Sequence, residues 1–110
     1  MTKKLLHNPH AGEILKSEFL DELGLSQNAV ATALQVPANR ISDIIRGRRG
    51  ITADTDLRLC RFFGLSEGYF LRLQMAYETM QAKRENGEKI AKIKPYAQVK
   101  SVMMRQAKKS

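Results

Sequence analysis

Several features of secreted proteins, membrane proteins and enzymes are missing from this sequence. Its only cysteine, Cys60, lies between Leu59 and Phe62 in a predicted helix, which favours a small buried hydrophobic residue over a reactive thiol. The 110 residues hold no apolar run of the ~18 residues that a membrane-spanning helix needs. No long apolar segment follows Lys3 and Lys4 at the N-terminus. We therefore expect a soluble protein of the reducing cytoplasm with no membrane partner.

The pattern that a metal site needs is also weak. His7, His10 and Glu13 follow one another at spacings of three residues and could line one helix face as metal ligands. Pro9 places His7 before that helix, however, and no His-Glu-x-x-His pattern is present. Two exposed, solvated histidines are the simpler interpretation. We expect no catalytic residue, no metal and no cofactor.

Positive charge is plentiful but unevenly distributed. The net charge is +8, yet residues 1–80 hold 10 Lys/Arg and 9 Asp/Glu, a net of +1, whereas residues 81–110 hold 9 and 2, a net of +7. A hydrophobic content of 43% suffices for one small core. We therefore expect a domain over residues 1–84 and a basic C-terminal tail, partly extended or disordered, over residues 85–110.

Residues 25–49 have the pattern of a helix-turn-helix. Ser26 is a good N-cap for a short helix whose apolar positions are Ala29, Val30, Ala33 and Leu34. Pro37 suits the first turn of a second helix, which turns Ile41, Ile44 and Ile45 inward. Gly47 would end that helix in a left-handed conformation. In the turn, Gln35 would have to adopt a left-handed conformation at a cost of about 1 kcal/mol.

In the usual docking of this motif, the N-terminal part of the second helix enters the major groove and the first helix crosses the backbone. Asn39 would then pair with adenine and Arg40 with guanine, each worth about 1–3 kcal/mol of discrimination. The arginines after the helix suit phosphates, although a solvated loop is the alternative for Arg46–Arg49. The predicted DNA-binding residues are Gln27, Asn28, Pro37, Ala38, Asn39, Arg40, Ser42, Asp43, Arg46, Arg48 and Arg49.

The rest of the chain is predicted to be helical, which makes an all-α fold of five helices. Asn8 and Pro9 would begin the first helix, with an apolar stripe of Ile14, Leu15, Phe19, Leu20 and Leu23 that ends at Gly24. Thr52 would cap a helix with Leu57, Leu59, Cys60, Phe62 and Phe63, which stops at Gly64, and Ser66 would cap the last, which runs to about Arg84. Residues 89–96 alternate basic and apolar residues, as in a short strand or extended arm. Residues 97–110 are expected to be a solvated tail, with a frayed amphipathic helix or a phosphate-binding segment as alternatives.

The last of these helices has more apolar residues than one face against a small core needs. A second buried surface would account for the excess, most simply a two-fold homodimer that sets two recognition helices about one DNA turn apart. Its predicted interface consists of Tyr69, Phe70, Leu73, Tyr77 and Met80. The alternative is a helix buried centrally within one protomer.

Three segments taken together resemble one family. They are His10-Ala-Gly-Glu-Ile-Leu, Ile41-Ser-Asp-Ile-Ile-Arg-Gly-Arg-Arg-Gly-Ile-Thr52 and Gly64-Leu-Ser-Glu-Gly-Tyr-Phe-Leu-Arg-Leu-Gln-Met-Ala-Tyr77. Over roughly residues 10–77 the chain resembles the HigA/VapI antitoxins, which belong to the lambda-repressor-like (XRE-type) helix-turn-helix proteins. It departs from their pattern in having Ala11 where proline is usual and Tyr69-Phe70 where Phe-Trp is common.

The resemblance implies a dimeric antitoxin that represses its own operon and neutralises a RelE-like, mRNA-cleaving ribonuclease toxin. It places Ala38, Asn39, Arg40 and Asp43 at base-facing positions and Gln27 at the start of the supporting helix. The toxin surface is the least defined; the acidic residues of the first helix are one candidate, namely Glu13, Glu18, Asp21 and Glu22. A stand-alone repressor without a toxin is the alternative function, and a purely protein-binding module would leave Asn39 and the arginines unexplained.

Overall fold

A computed structural model describes the backbone of residues 6–109 and the side chains of residues 6–106. These residues form six helices and no strand. Helix α1 covers residues 11–23 in three consecutive stretches, Ala11–Ile14, a π-helical turn Leu15–Leu20, and Asp21–Leu23. The others are α2 (Gln27–Leu34), α3 (Ala38–Ile45), α4 (Ala53–Phe63), α5 (Tyr69–Ala91) and α6 (Tyr96–Lys109). No helix of the described residues is long and apolar enough to cross a membrane.

Two of the predicted helix starts are confirmed. Ser26 precedes α2, and its hydroxyl accepts a hydrogen bond from Ala29 N at 3.0 Å. Thr52 precedes α4, and its hydroxyl accepts one from Thr55 N at 3.3 Å. Both contacts are local, since an N-cap side chain reaches the free N–H group three residues along the chain.

The predicted N-cap of α1 is wrong, because the helix begins two residues later. His10, not Asn8, is the N-cap, because its Nδ1 accepts a hydrogen bond from Gly12 N at 3.1 Å. Asn8 is used elsewhere: its amide donates to the carbonyl of Tyr77 at 3.0 Å and to Gln81 Oε1 at 3.2 Å. The segment before α1 is thereby tied to the middle of α5.

The start of α5 is also not where Ser66 predicts it. The N-cap is Gly68, which has no side chain, and the free N–H groups are satisfied from another helix. The Asp56 carboxylate of α4 accepts hydrogen bonds from Gly68 N at 2.7 Å, Phe70 N at 2.9 Å and Leu71 N at 3.1 Å. Asp56 is only 1% exposed, and these donors compensate the loss of water around its charge. The carboxylate also lies at the positive end of the α5 dipole.

The core lies between α1 to α4 and the first turns of α5. Its fully buried side chains include Leu15, Ile41, Ile44, Leu59 and Phe70, and Cys60 is buried beside them at 1% exposure, as predicted. Phe19, Phe63 and Tyr69 surround Phe70, with ring centroids 4.9–6.4 Å apart. Three predicted core residues are instead largely exposed: Leu23 (60%), Leu57 (45%) and Phe62 (43%).

Most of the residues predicted for the dimer interface pack within the protomer instead. Phe70 has no exposed surface within one protomer, so its place in a dimer interface was wrong and central burial accounts for it. Tyr69 and Leu73 are half-buried against the same core, and Tyr77 packs edge-on against His10 at 5.9 Å. Only Met80 of the five is exposed, at 42%.

The C-terminal part is helical rather than extended. Helix α5 passes Arg84 without a break and ends at Ala91, and residues 96–109 form α6, so the expected strand or extended arm at residues 89–96 is wrong. Ile90 and Ile93 are three residues apart, a spacing that suits a helix as well as a strand. From residue 85 to 106 no residue is buried.

Candidate nucleic-acid interface

The turn between α2 and α3 has the left-handed residue that the sequence predicts. Gln35 has φ 60° and ψ 46°, the only positive φ of a residue other than glycine among the described residues. Its N–H donates to Thr32 O at 3.1 Å, and Val36 N donates to Ala31 O at 3.0 Å, which closes the end of α2. These bonds offset the steric cost of the conformation.

Arg58 of α4 holds the same turn from outside. Its guanidinium donates to the carbonyl of Leu34 at 2.8 Å and to that of Gln35 at 3.4 Å. Carbonyls at a helix C-terminus carry partial negative charge, so a guanidinium is a favourable partner. The turn that fixes the angle between α2 and α3 is therefore supported by a helix that lies outside the motif.

Helix α3 has one buried face and one free face. Ile41 and Ile44 are buried at 0% and 1% exposure, and Ile45 is half-buried. Pro37 is the N-cap, one residue earlier than its predicted place inside the helix. Ala38 and Asn39 are exposed on the first turn, with Arg40 partly buried next to them. The Ser42 hydroxyl donates to Asn39 O at 3.2 Å, and Asp43 is half-buried.

The arginines gather where α3 ends. Gly47 follows the last residues of the helix with φ +76°, in the predicted left-handed conformation. The main-chain oxygen of Asp43 accepts from Arg48 N at 2.8 Å and Arg49 N at 3.3 Å, which folds the chain back over the helix end. Arg46, Arg48 and Arg49 are all exposed there, and Gln27 and Asn28 occupy the start of α2.

Two contacts that the sequence did not indicate position this helix and its exit. A Cβ on Gly12 would overlap the carbonyl oxygen of Ile44, so α1 and α3 meet at a distance only glycine permits. Beyond the helix, the Gln74 amide of α5 donates to Ile51 O at 3.0 Å and accepts from Ile51 N. Neither Gly12 nor Gln74 shows this in the sequence, because the partners are 32 and 23 residues away.

His7, His10 and Glu13 do come together, through one hydrogen bond and one longer polar contact. His7 Nε2 is 2.7 Å from Glu13 Oε2, and His10 Nε2 is 3.4 Å from Glu13 Oε1. The hydrogen bond from His7 is the main reason that the pKa of Glu13 lies below its usual value. His10 Nδ1 accepts the Gly12 N–H, so the proton of a neutral ring lies on Nε2. A metal bound at Nε2 would move that proton to Nδ1, which could then no longer accept the hydrogen bond that caps α1. No cluster of metal-ligating side chains is found in the described part of the chain.

Comparison with known proteins adds to this geometry. A family model described as Helix-turn-helix matches residues 16–70. Virulence-associated protein I of Dichelobacter nodosus is 49% identical over 76 residues, which cover 69% of this chain and 70% of that protein. Antitoxin HigA-1 of Vibrio cholerae is 31% identical over 84 residues, which cover 76% of this chain and 79% of that protein.

Among solved structures, antitoxin HigA of Pseudomonas aeruginosa, solved with the higBA promoter, superposes with a TM-score of 0.75. It is 42% identical, and the match covers 81% of this chain and 98% of the other. Over the matched part of the chain, the fold is therefore similar to the helix-turn-helix fold of a protein that was solved together with promoter DNA.

Proposed function

The chain belongs to the helix-turn-helix family that includes the HigA antitoxins and virulence-associated protein I, and from this premise we propose that it is a cytoplasmic antitoxin and autorepressor. As a homodimer it binds the operator of its own operon, and it neutralises a RelE-like, mRNA-cleaving toxin by direct binding. The family consists of DNA-binding regulators without enzymatic activity. The observation that supports the DNA-binding part most strongly is the exposed first turn of α3, with arginines at the exit of the same helix.

In this function the first turn of α3 reads the bases. Ala38 is small and lets the helix approach the groove, while Asn39 and Arg40 carry the donors and acceptors that distinguish adenine and guanine. These base contacts discriminate the operator from other DNA. Gly12 and Gln74 keep the helix and its exit at a fixed angle to the rest of the domain, and the specificity depends on that rigidity.

The arginines after α3 have a different task. Arg46, Arg48 and Arg49 are exposed and lie in the hydrogen-bonded turn that ends α3, so they are placed to reach phosphates beside the groove. Gln27 and Asn28 start α2, where the free N–H groups and the helix dipole also favour a phosphate. These contacts add affinity for any duplex and make binding dependent on salt.

The experiment is a titration of the protein against a duplex of its own upstream region and against a scrambled duplex, at two salt concentrations. We expect a preference of about a hundredfold or more for the upstream duplex that persists at the higher salt. Asn39→Ala or Arg40→Ala should reduce that preference by about 1–3 kcal/mol, because each removes a base contact. Arg48→Ala or Arg49→Ala should weaken both duplexes alike and reduce the salt slope by about 1.

The control is the ratio of the two affinities rather than either one alone. Equal losses on both duplexes for Asn39→Ala and Arg40→Ala would refute the base-reading assignment. If the wild type bound both duplexes equally and lost both at high salt, its binding would be non-specific phosphate attraction. The proposal of an autorepressor would then be refuted.

The homodimer is supported by a groove on α5 that its own protomer leaves uncovered. Met75 is 67% exposed and Met80 42%, and between them lie the small residues Ala76 and Thr79. Small residues let two helices approach closely, and methionine side chains adapt to fill the remaining space. A second copy of α5 is the occupant we propose, and it would cover the two methionines that packing within the protomer leaves exposed.

Ala76→Glu should therefore produce monomers, because it places a carboxylate in the middle of the helix pair. Leu57→Asp is the matched variant on a second exposed apolar face of the domain, where Leu57 and Phe62 of α4 line a groove with Leu34. Sedimentation at micromolar concentration tests both. A dimer that survives Ala76→Glu but not Leu57→Asp would move the interface to α4, and a monomeric wild type would refute the dimer.

The toxin partner is proposed on the family relationship, since relatives named HigA are antitoxins. Of the acidic residues of α1, Glu13 is held by His7 and His10, and Asp21 pairs with Lys16 at 3.0 Å, while Glu18 and Glu22 are exposed. A small basic ribonuclease encoded beside the gene should stop the growth of cells that express it alone, and co-expression of this protein should restore their growth. A Glu18→Lys, Glu22→Lys variant with unchanged toxin affinity would remove α1 as the surface. The absence of such a neighbouring gene would favour the stand-alone repressor.

A further inference from the structure

Arg40, the arginine proposed to read a base, is held by a carboxylate in this structure. Its guanidinium Nη1 lies 3.5 Å from Oδ2 of Asp54, in the first turn of α4. The same oxygen accepts a hydrogen bond from Arg58 Nε at 2.9 Å. One carboxylate oxygen therefore joins a recognition-helix arginine to the arginine that holds the turn between α2 and α3.

Stability accounts for only part of this carboxylate's role, the modest helix-dipole effect of any acidic residue in the first turn of α4. Asp54 is 60% exposed and its partners 29% and 39%, and ion pairs with so much contact to water contribute little to folding. Binding to DNA does not explain it by charge either. A negative group beside the recognition helix repels phosphates, so simple electrostatics would favour a neutral residue there.

Orientation does explain it. An arginine has five donors in a planar fork, so an ion pair between Nη1 and Asp54 leaves other donors available for the O6 and N7 atoms of a guanine. A side chain held in this way loses less conformational freedom when it binds. The link through Arg58 to the carbonyls of Leu34 and Gln35 fixes Asp54 relative to the motif itself.

We propose that Asp54 is a positioning residue for sequence reading, which orients the Arg40 guanidinium toward a guanine of the operator. This inference rests on the proposed function, because it requires that Arg40 reads a base. It assigns part of the operator specificity to a residue outside the helix-turn-helix, on a helix that does not enter the groove.

The test substitutes Asp54→Asn and measures affinity for the duplex of the upstream region and for the scrambled duplex. Loss of a repelling charge should leave the scrambled duplex bound as tightly or more tightly. The preference for the upstream duplex should nevertheless fall by about fivefold or more, in line with coupling between residues in contact. The thermal midpoint should stay close to that of the wild type, which separates positioning from a structural role.

Two double variants and one control complete the design. In an Arg40→Ala background, Asp54→Asn should no longer change the preference, whereas in an Arg58→Ala background it should still reduce it, but by less, because Asp54 has then lost its support. Asp21→Asn is the matched control, because it removes an exposed, lysine-paired carboxylate of α1 and should leave the preference unchanged.

The outcomes separate the two proposals. A wild type without preference would refute the proposed function and this inference with it. A wild-type preference that Asp54→Asn retains would refute the inference alone. So would an equal rise in affinity for both duplexes, which indicates simple repulsion, or an effect that persists without Arg40.

Discussion

The domain and the C-terminal arm, defined here as residues 85–109, are both helical for different reasons. In the domain, helices are held by contacts far apart in sequence, such as Asp56 on the start of α5 and Gly12 against α3. In the arm, the side chains described are exposed or half-exposed, including Ile90 (50%), Ile93 (70%) and Tyr96 (63%). The arm therefore depends on local helix propensity, whereas the domain depends on packing.

The dimensions of the molecule reflect this difference. Its radius of gyration is 20.0 Å and its longest extent 60 Å, whereas a compact chain of this length has a radius of about 13 Å. The charge is divided in the same way, since most of the net +8 lies after residue 80. Sequence-specific contacts are thus proposed for the rigid domain, and the net positive charge of the arm favours sequence-independent attraction to phosphates.

The largest effect that would test this comparison is expected at Asp56. Asp56→Ala leaves buried N–H groups at the start of α5 without an acceptor, and each such donor costs about 1–3 kcal/mol. We expect a loss of about 3 kcal/mol in the free energy of unfolding, measured in urea. Asp56→Asn keeps one acceptor oxygen and should lose less.

Glu88→Ala is the matched variant in the arm, because it removes an exposed carboxylate from α5, the helix whose start Asp56 holds. Surface changes of this kind stay within about 0.5 kcal/mol. If Asp56→Ala were as mild as Glu88→Ala, the start of α5 would not depend on α4, and domain and arm would be held in the same way.

The sequence predicted those parts of the domain whose cause is local. The caps at Ser26 and Thr52 act within three residues, and the left-handed Gln35 follows from the break before Pro37. Helix periodicity predicted the burial of Ile41 and Ile44. The proposed interface residues on α3 were chosen by the same periodicity, because they lie opposite the buried face.

The remaining features depend on residues that are distant in sequence. Asp56 looks like an ordinary first-turn carboxylate until α5 is placed 12 to 15 residues later. Phe70 could equally have served a dimer, and its burial is decided by Phe19 and Phe63. In the arm the error came from treating a basic, apolar alternation as extended, although lysine, arginine and glutamate from residue 83 onward are good helix formers.

A smaller effect, opposite in sign between the two regions, is expected at two helical glycines. Gly12→Ala would place a methyl group on the carbonyl oxygen of Ile44, and overpacking of this kind costs about 1–3 kcal/mol. At Gly87 of α5 a Cβ would meet no atom within 4 Å, so Gly87→Ala should stabilise the helix by about 0.5–1 kcal/mol. Urea unfolding measures the first change, and helix content by circular dichroism the second.

The two alanine variants also differ in what they should do to DNA binding. Gly12→Ala pushes α1 away from the end of α3, so the preference for the upstream duplex should fall together with stability. Gly87→Ala acts only within a helix that already extends past the core, so the preference should stay as in the wild type. A fall in preference with Gly87→Ala would show that the arm takes part in sequence reading, and the division of labour between domain and arm would then be wrong.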